Sequence, residues 1–265
     1  MSSYFGLFKM TFKGELQYRA KALSGIVTQL FWGLLYIYLY TAFMGGKIIE
    51  GFSIKQMISY VWIGQAFFVL RFADLPKNCA KEIESGNVCY KFVRPVDLYN
   101  QWFAEHFGYK LSATLIRCFP LLVCAFLLPE SLRLMLPASF ASFGLFVVAL
   151  ILGAMITSAI SMISVYFTFK TLSAKGILTM MNAVCGVLGG MYVPIVFMPQ
   201  SVQNVLNYLP FRYIFDLPAR IYVGNIPPIE AIKLIAIAIA WLVFLILLGR
   251  LLVRLAGKKA VIQGG

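Results

Sequence analysis

The sequence predicts an all-α membrane protein, and three observations carry that prediction: its hydropathy, the length of its apolar runs and the placement of its charges. Of its 265 residues, 61% are hydrophobic and 12% charged, and the mean hydropathy is +0.84. A soluble domain carries roughly 45–50% apolar and about 25% charged residues, so the surface of a soluble fold this long would lack its charges. Six apolar runs approach the ~20 residues that a helix needs to cross hydrocarbon: 22–44, 54–72, 104–128, 138–167, 177–197 and 229–253. The net charge of +13 gathers between these runs. That is the pattern of topology-setting loops and not of a nucleic-acid interface.

The elements follow in order. In residues 1–21, Phe5, Phe8, Phe12 and Leu16 recur at helical spacing, while Lys9, Lys13 and Gln17 fall on another face. This predicts an amphipathic helix lying in the membrane interface. Residues 22–265 are read as a single domain of six transmembrane helices. The first run is too long for a signal-peptide core and lacks a cleavage site behind it, so it is expected to be retained as a span. The fourth run is long enough to tilt.

The loops are unequal. Segments 45–53 and 129–137 are short, whereas 73–102 is long and charged. Segment 198–228 is long but apolar, and prolines divide it and its approach: Pro194, Pro199, Pro210, Pro218, Pro227 and Pro228. Short helices are expected at 202–209 and 211–222, too brief to cross and suited to re-entrant or outer positions between spans 5 and 6.

With both termini on the cytoplasmic side, 16 of the 23 Lys and Arg residues fall inside and six outside. The positive-inside rule favours that orientation, and it makes 73–102 a cytoplasmic loop and 198–228 extracytoplasmic.

Catalytic constellations are sparse. His106 is the single histidine, which removes most acid–base and metal schemes. The five cysteines (Cys79, Cys89, Cys118, Cys124 and Cys185) form no C-x-x-C pair, so they are read as free thiols. Gly45-Gly46-Lys47 lacks the leading glycine and following hydroxyl of a phosphate loop. The chain is therefore expected to be no enzyme and to bind no metal or cofactor. All ten acidic residues sit in loops or near span ends, which disfavours a carrier driven through a midplane carboxylate.

Arg117 is the charged residue placed well inside a span. Two readings stay open: it lines a path for an anionic or polar group, or it snorkels from a tilted helix. Gly186 and Gly190 form a G-x-x-x-G, and Gly153 stands in a similar small-residue pattern with Thr157. These suit close helix packing or a dimer seam. In the inner loop, Lys81-Glu82-Ile83-Glu84-Ser85-Gly86 reads as a short amphipathic helix with a glycine stop, followed by an extended exit fixed at Arg94-Pro95. On this reading Ile83 is an apolar anchor for a soluble partner, rimmed by Lys81, Glu82 and Glu84.

Two groups of residues together resemble the ABC-2 type permeases, in particular a subgroup whose inner loop ends in an Arg-Pro step. The first runs from Glu82-Ile83-Glu84-Ser85-Gly86 to Arg94-Pro95-Val96. The second comprises Gly190-Met191-Tyr192-Val193-Pro194, Phe197-Met198-Pro199, Leu209-Pro210-Phe211-Arg212-Tyr213, Leu217-Pro218-Ala219-Arg220 and Gly224. The resemblance implies a transmembrane permease subunit of an ATP-driven exporter in a bacterial inner membrane. It implies two permease subunits, identical or homologous, that dock on separate ABC ATPase subunits. ATP and Mg would be bound by those partners, membrane lipids would surround the chain, and nucleic acid has no part. It assigns ATPase coupling to the inner-loop residues. The alternative is an ATP-independent secondary carrier or lipid scramblase, which would move substrate with no ATPase present.

Overall fold

The computed structural model describes residues 2–15, 19–49, 51–71, 73–76, 79–92 and 97–259. Among them regular structure is helical, apart from an isolated bridge between Ile49 and Phe52. The order is α1 (Ser2–Glu15), α2 (Arg19–Met44), α3 (Ile54–Ala66), a 3-10 turn (Phe68–Arg71), α4 (Cys79–Glu84), α5 (Cys89–Phe92), α6 (Leu98–Leu127), α7 (Phe140–Thr171) and α8 (Ala174–Leu188). A 3-10 turn (Ile195–Phe197), α9 (Gln200–Leu206), a further 3-10 turn (Pro210–Ile214), α10 (Asp216–Tyr222) and α11 (Pro228–Lys259) complete the chain.

Four helices among the described residues are long and apolar enough to cross a membrane: Gly25–Met44 of α2, α6, α7 and Pro228–Gly257 of α11. The chain is thus an all-α, multi-pass membrane protein. The second and fifth expected spans are shorter than predicted. With 13 and 15 residues, α3 and α8 rise only about 20 and 22 Å, against a hydrocarbon core of ~30 Å.

The two short helices have different causes. α3 begins at a capping box, in which Ser53 accepts from the Gln56 amide and Gln56 answers the Ser53 backbone. Every residue from Met57 to Ala66 is buried, so α3 is an internal helix surrounded by the others. α8 instead breaks at Gly189-Gly190. Gly190 takes φ +76°, a left-handed conformation that glycine adopts without steric cost. The chain folds back there, with the Met191 amide donating to Gly186 O at 3.0 Å.

Beyond that break the backbone stays inside the protein. A Cβ placed on Gly153 would lie 2.6 Å from Ile214 O, and the Trp241 indole donates to Tyr208 O at 3.0 Å. Gly153 and Trp241 each stand about 20 Å along the axis from the first residue of their helix. The segment around 208–214 is therefore re-entrant. Its prolines act as expected: Pro199 precedes α9, Pro210 opens its turn and Pro218 lies in the first turn of α10, where a missing N–H is tolerated.

Connections alternate between two ends. At one end Ala138 N donates to Tyr222 O at 3.1 Å and Gln56 Nε2 to Val223 O at 3.0 Å. This gathers the α2–α3, α6–α7 and α10–α11 connections. α4 and the α7–α8 connection share the other end, where Ala174 N donates to Glu84 Oε1 at 3.4 Å. α7 and α11 form the most extensive helix pair.

α1, the expected amphipathic helix, is fastened to the bundle. It packs lengthwise on α6, with Phe8 stacked on Phe107 at 5.7 Å and the Asp97 amide donating to Tyr4 Oη at 3.1 Å. Gly108 makes that approach possible, because a Cβ there would meet Phe8 O at 2.9 Å.

Candidate functional site

The inner-loop helix α4 is bound to the bundle by its apolar side. Cys79, Ile83 and Val88 are buried in one cluster with Leu98, Tyr99 and Trp102 of α6, Met162 and Val165 of α7, and Val253 of α11. This corrects the expectation that Ile83 anchors a partner. At 3% exposure, its side chain is spent on the chain's own core. Burial also pushes the Cys79 thiol up, out of the reactive range.

The opposite side of the loop is open. Lys81, Glu84, Ser85, Asn87 and Tyr90 are exposed. Glu82 and Lys91 pair across the turn at 2.7 Å, and Gly86 makes the turn possible at φ +76°. Glu84 also accepts from the first amide of α8, as noted above. The loop is therefore in contact with α6, α7 and α11 through its apolar side and with α8 through Glu84. Arg94 and Pro95 lie outside the described residues.

Just before α4, a buried polar knot holds the chain that leaves α3. Asp74 Oδ1 accepts from His106 Nε2 at 2.7 Å and pairs with Lys110 Nζ at 2.8 Å. His106 and Lys110 are buried within α6, whereas the Asp74 side chain is 37% exposed. Burial alone would raise the Asp74 carboxyl. The His106 hydrogen bond and the Lys110 charge outweigh it and hold the group at about 2, so it is a carboxylate that only accepts. Hence His106 carries a hydrogen on Nε2.

Its Nδ1 lies 2.9 Å from Ser158 Oγ, and Ser158 Oγ also lies 2.8 Å from Ala154 O. In the neutral ring, with Nδ1 as an acceptor, the single hydroxyl hydrogen serves one of those two acceptors at a time. Lys110 Nζ donates to Val69 O at 3.0 Å, Thr157 Oγ1 to Leu70 O at 2.8 Å, and Ser161 Oγ accepts from the Asp74 amide at 3.3 Å. Asn182 of α8 pairs both ways with the Ala73 backbone, at 2.8 and 2.9 Å. Val69, Leu70, Ala73 and Asp74 are thus tied to α6, α7 and α8 at once. Sequence reasoning missed this knot. The signal was present in the spacing of His106 and Lys110, four apart and therefore on one face of a helix.

Arg117 stands against α2, its guanidinium carbon 3.7 Å from where a Cβ on Gly25 would be. It borders a cavity of about 360 Å³ together with Gln29, Trp32 and Tyr36 of α2, Gln65 of α3 and Met191. Arg117 makes no hydrogen bond or ion pair among the described residues.

The three glycines read as close-packing or dimer-seam positions each face this chain's own atoms. Gly153 faces the Tyr213–Ile214 backbone, Gly186 faces the Tyr192 ring, and a Cβ on Gly190 would lie 2.9 Å from Ile195 Cγ1.

At the far end, a second knot fixes the re-entrant segment. Asp216 is 0% exposed. It accepts from Tyr60 Oη at 3.0 Å and pairs with Arg212 at 3.4 Å and Arg220 at 3.8 Å. Arg212 also donates to the Asn207 side chain.

The chain thus has a helical membrane body with a loop helix packed on one end and a re-entrant cap at the other. The chain matches the family model described as ABC-2 family transporter protein over residues 29–258. It belongs to that family, and it is a membrane permease of ABC transport. Membership implies association with an ATPase partner. A comparison with curated proteins finds no match.

Proposed function

We propose that this chain is the transmembrane subunit of an ATP-driven exporter, with both termini in the cytoplasm of a bacterium and 198–228 on the outer side. ATP and Mg are bound by separate ATPase subunits, and a second permease copy or homologue completes the complex. The observation that carries the proposal is the two-sided inner loop. α4 buries Ile83 in the bundle while Lys81, Glu84 and Ser85 face outward, so a partner pressing on that polar face moves the helices behind it. ATP binding by the partner then biases which side the paired permeases open to. Coupling is assigned to Lys81, Glu82, Glu84, Ser85 and Gly86 as the contacted stretch, and to Ile83 as the link inward. Charge supports the orientation, because the loops at the α4 end hold the basic excess.

A test is to isolate the tagged chain in detergent from its native cells, identify what accompanies it and assay ATP hydrolysis. Recovery of an ATP-binding subunit, with hydrolysis retained but transport lost in Glu84→Lys, is the expected result. A chain recovered alone that moves substrate without nucleotide would replace this proposal with the secondary-carrier or scramblase reading.

A further inference from the structure

The cavity beside Arg117 is built for a ligand of definable chemistry. Its volume of about 360 Å³ falls among small-molecule sites, which run ~300–1,000 Å³. One end is polar. The half-buried Arg117 guanidinium has no protein acceptor among the described residues, and no Asp or Glu lines the cavity. Gln29, 5% exposed, lines the same space, and its buried Oε1 has no hydrogen-bond partner among the described residues. A buried carboxamide oxygen left without a donor costs free energy unless something supplies one.

The other end is aromatic. Trp32 stacks on Tyr36 at 5.8 Å, Tyr36 on Tyr40 at 5.7 Å, and Tyr40 meets Phe197 at 5.4 Å. A second hollow of about 20 Å³ shares Tyr36, Gln65 and Met191 with the first and reaches Tyr60 and Pro194. The aromatic row therefore runs from the cavity along α2 towards the re-entrant cap.

We infer that this cavity binds an amphiphile whose anionic head carries a neighbouring hydrogen-bond donor. The head meets Arg117, its donor satisfies Gln29, and the apolar tail lies along Trp32, Tyr36 and Tyr40. A cation is excluded by the uncompensated guanidinium. A plain anion without a donor leaves Gln29 unsatisfied. Both a free cargo molecule and an anionic membrane lipid bearing hydroxyls have this chemistry. The inference rests on the permease reading only for what binding accomplishes, because binding itself needs neither nucleotide nor partner.

The test is calorimetric titration of the purified full chain in dodecyl maltoside with three probes below their micelle concentrations. N-dodecanoylglycine has a carboxylate and an adjacent amide N–H, N-dodecanoylsarcosine has the carboxylate with that N–H methylated, and dodecyltrimethylammonium has the opposite charge. The expected order is glycine probe, then sarcosine probe about five-fold weaker for one lost hydrogen bond, then the ammonium at least about ten-fold weaker still. Arg117→Ala is expected to abolish the preference for anions, and Arg117→Lys to keep it. Gln29→Leu is expected to equalise the glycine and sarcosine probes while leaving both tighter than the ammonium.

Equal binding of all three probes to wild type, or an anion preference that survives Arg117→Ala, overturns the inference. Competition by phosphatidylglycerol that displaces the glycine probe assigns the site to a lipid head. Failure of phosphatidylglycerol to displace a tightly bound probe assigns it to a free amphiphile. Loss of ATPase association with probe binding intact would count against the permease proposal and not against this site.

Discussion

The two polar knots use the same device for different ends. At each, one carboxylate sits between two basic side chains: Asp74 with His106 and Lys110 of α6, and Asp216 with Arg212 of the preceding 3-10 turn and Arg220 of its own helix α10. Asp216 is wholly buried and paired with guanidinium groups, which stay charged at any accessible pH. Asp74 is over a third exposed and paired with an imidazole and an ammonium, both of which exchange protons far more readily. The Asp216 knot is built to hold the re-entrant segment in one place. The Asp74 knot is more exposed and lies directly ahead of α4, the helix whose displacement the proposed mechanism requires.

This contrast orders the expected effects. Asp216→Ala leaves Arg212 buried without its carboxylate, which costs about 3–5 kcal/mol. The thermal midpoint in detergent should fall steeply and the yield of folded chain with it, whereas Tyr60→Phe should cost only ~1 kcal/mol. An unchanged midpoint for Asp216→Ala would remove the fixed-cap reading. Gly153→Val drives a side chain into the Tyr213–Ile214 backbone and should cost about 1–3 kcal/mol by overpacking. The same measurement reads it, and a neutral outcome would show that the re-entrant segment yields easily.

Acid should distinguish the Asp74 knot. The Asp74 carboxyl sits at about 2 in the folded chain, against 3.8 for an ordinary carboxylate. Its lowered value means that its contribution is complete above about pH 4 and is lost as pH falls through about 2. With a side chain this exposed, solvent screening keeps that contribution below about 1 kcal/mol. Unfolding midpoints followed from pH 5 to 2 should therefore fall slightly faster for wild type than for Asp74→Asn; parallel profiles would mean that the group is not held as described. The smallest effect belongs to the exposed Lys55–Glu130 pair at 3.2 Å. Lys55→Ala should leave the midpoint unchanged, since exposed pairs of this kind contribute little.

Much of the fold was legible because lipid imposes a simple rule: long apolar runs and basic loops announce themselves. The four membrane-length helices follow from it, while prolines marked the short outer helices, though not the division of 211–222 into a 3-10 turn and α10, and a glycine stop marked the inner-loop helix. The short α3 and the broken α8 did not follow, because hydropathy reports apolar composition and not what an apolar residue faces. Met57 to Ala66 face protein, and the segment around 208–214 turns back inside. Ile83 was misread for the same reason, since an apolar residue on a charged loop helix suits a partner's groove as well as the chain's own core. The site was harder still. Asp74, His106, Lys110 and Asn182 are scattered in sequence, and only folding joins them. Arg117 was visible as a charge within a span, but Gln29 drew no notice because a single amide in an apolar run changes its hydropathy little.

The central claim, that the outward face of α4 is where an ATPase presses, is tested most directly by photocrosslinking in intact cells. A photoreactive benzophenone side chain is placed at exposed Ser85 in one variant and at exposed Asn204 of α9 in another. Crosslinks from Ser85 to an ATP-binding protein, with none from Asn204, are the predicted result. A transport-competent chain in which Ser85 captures no ATPase, or in which Asn204 does, would contradict both the coupling site and the orientation.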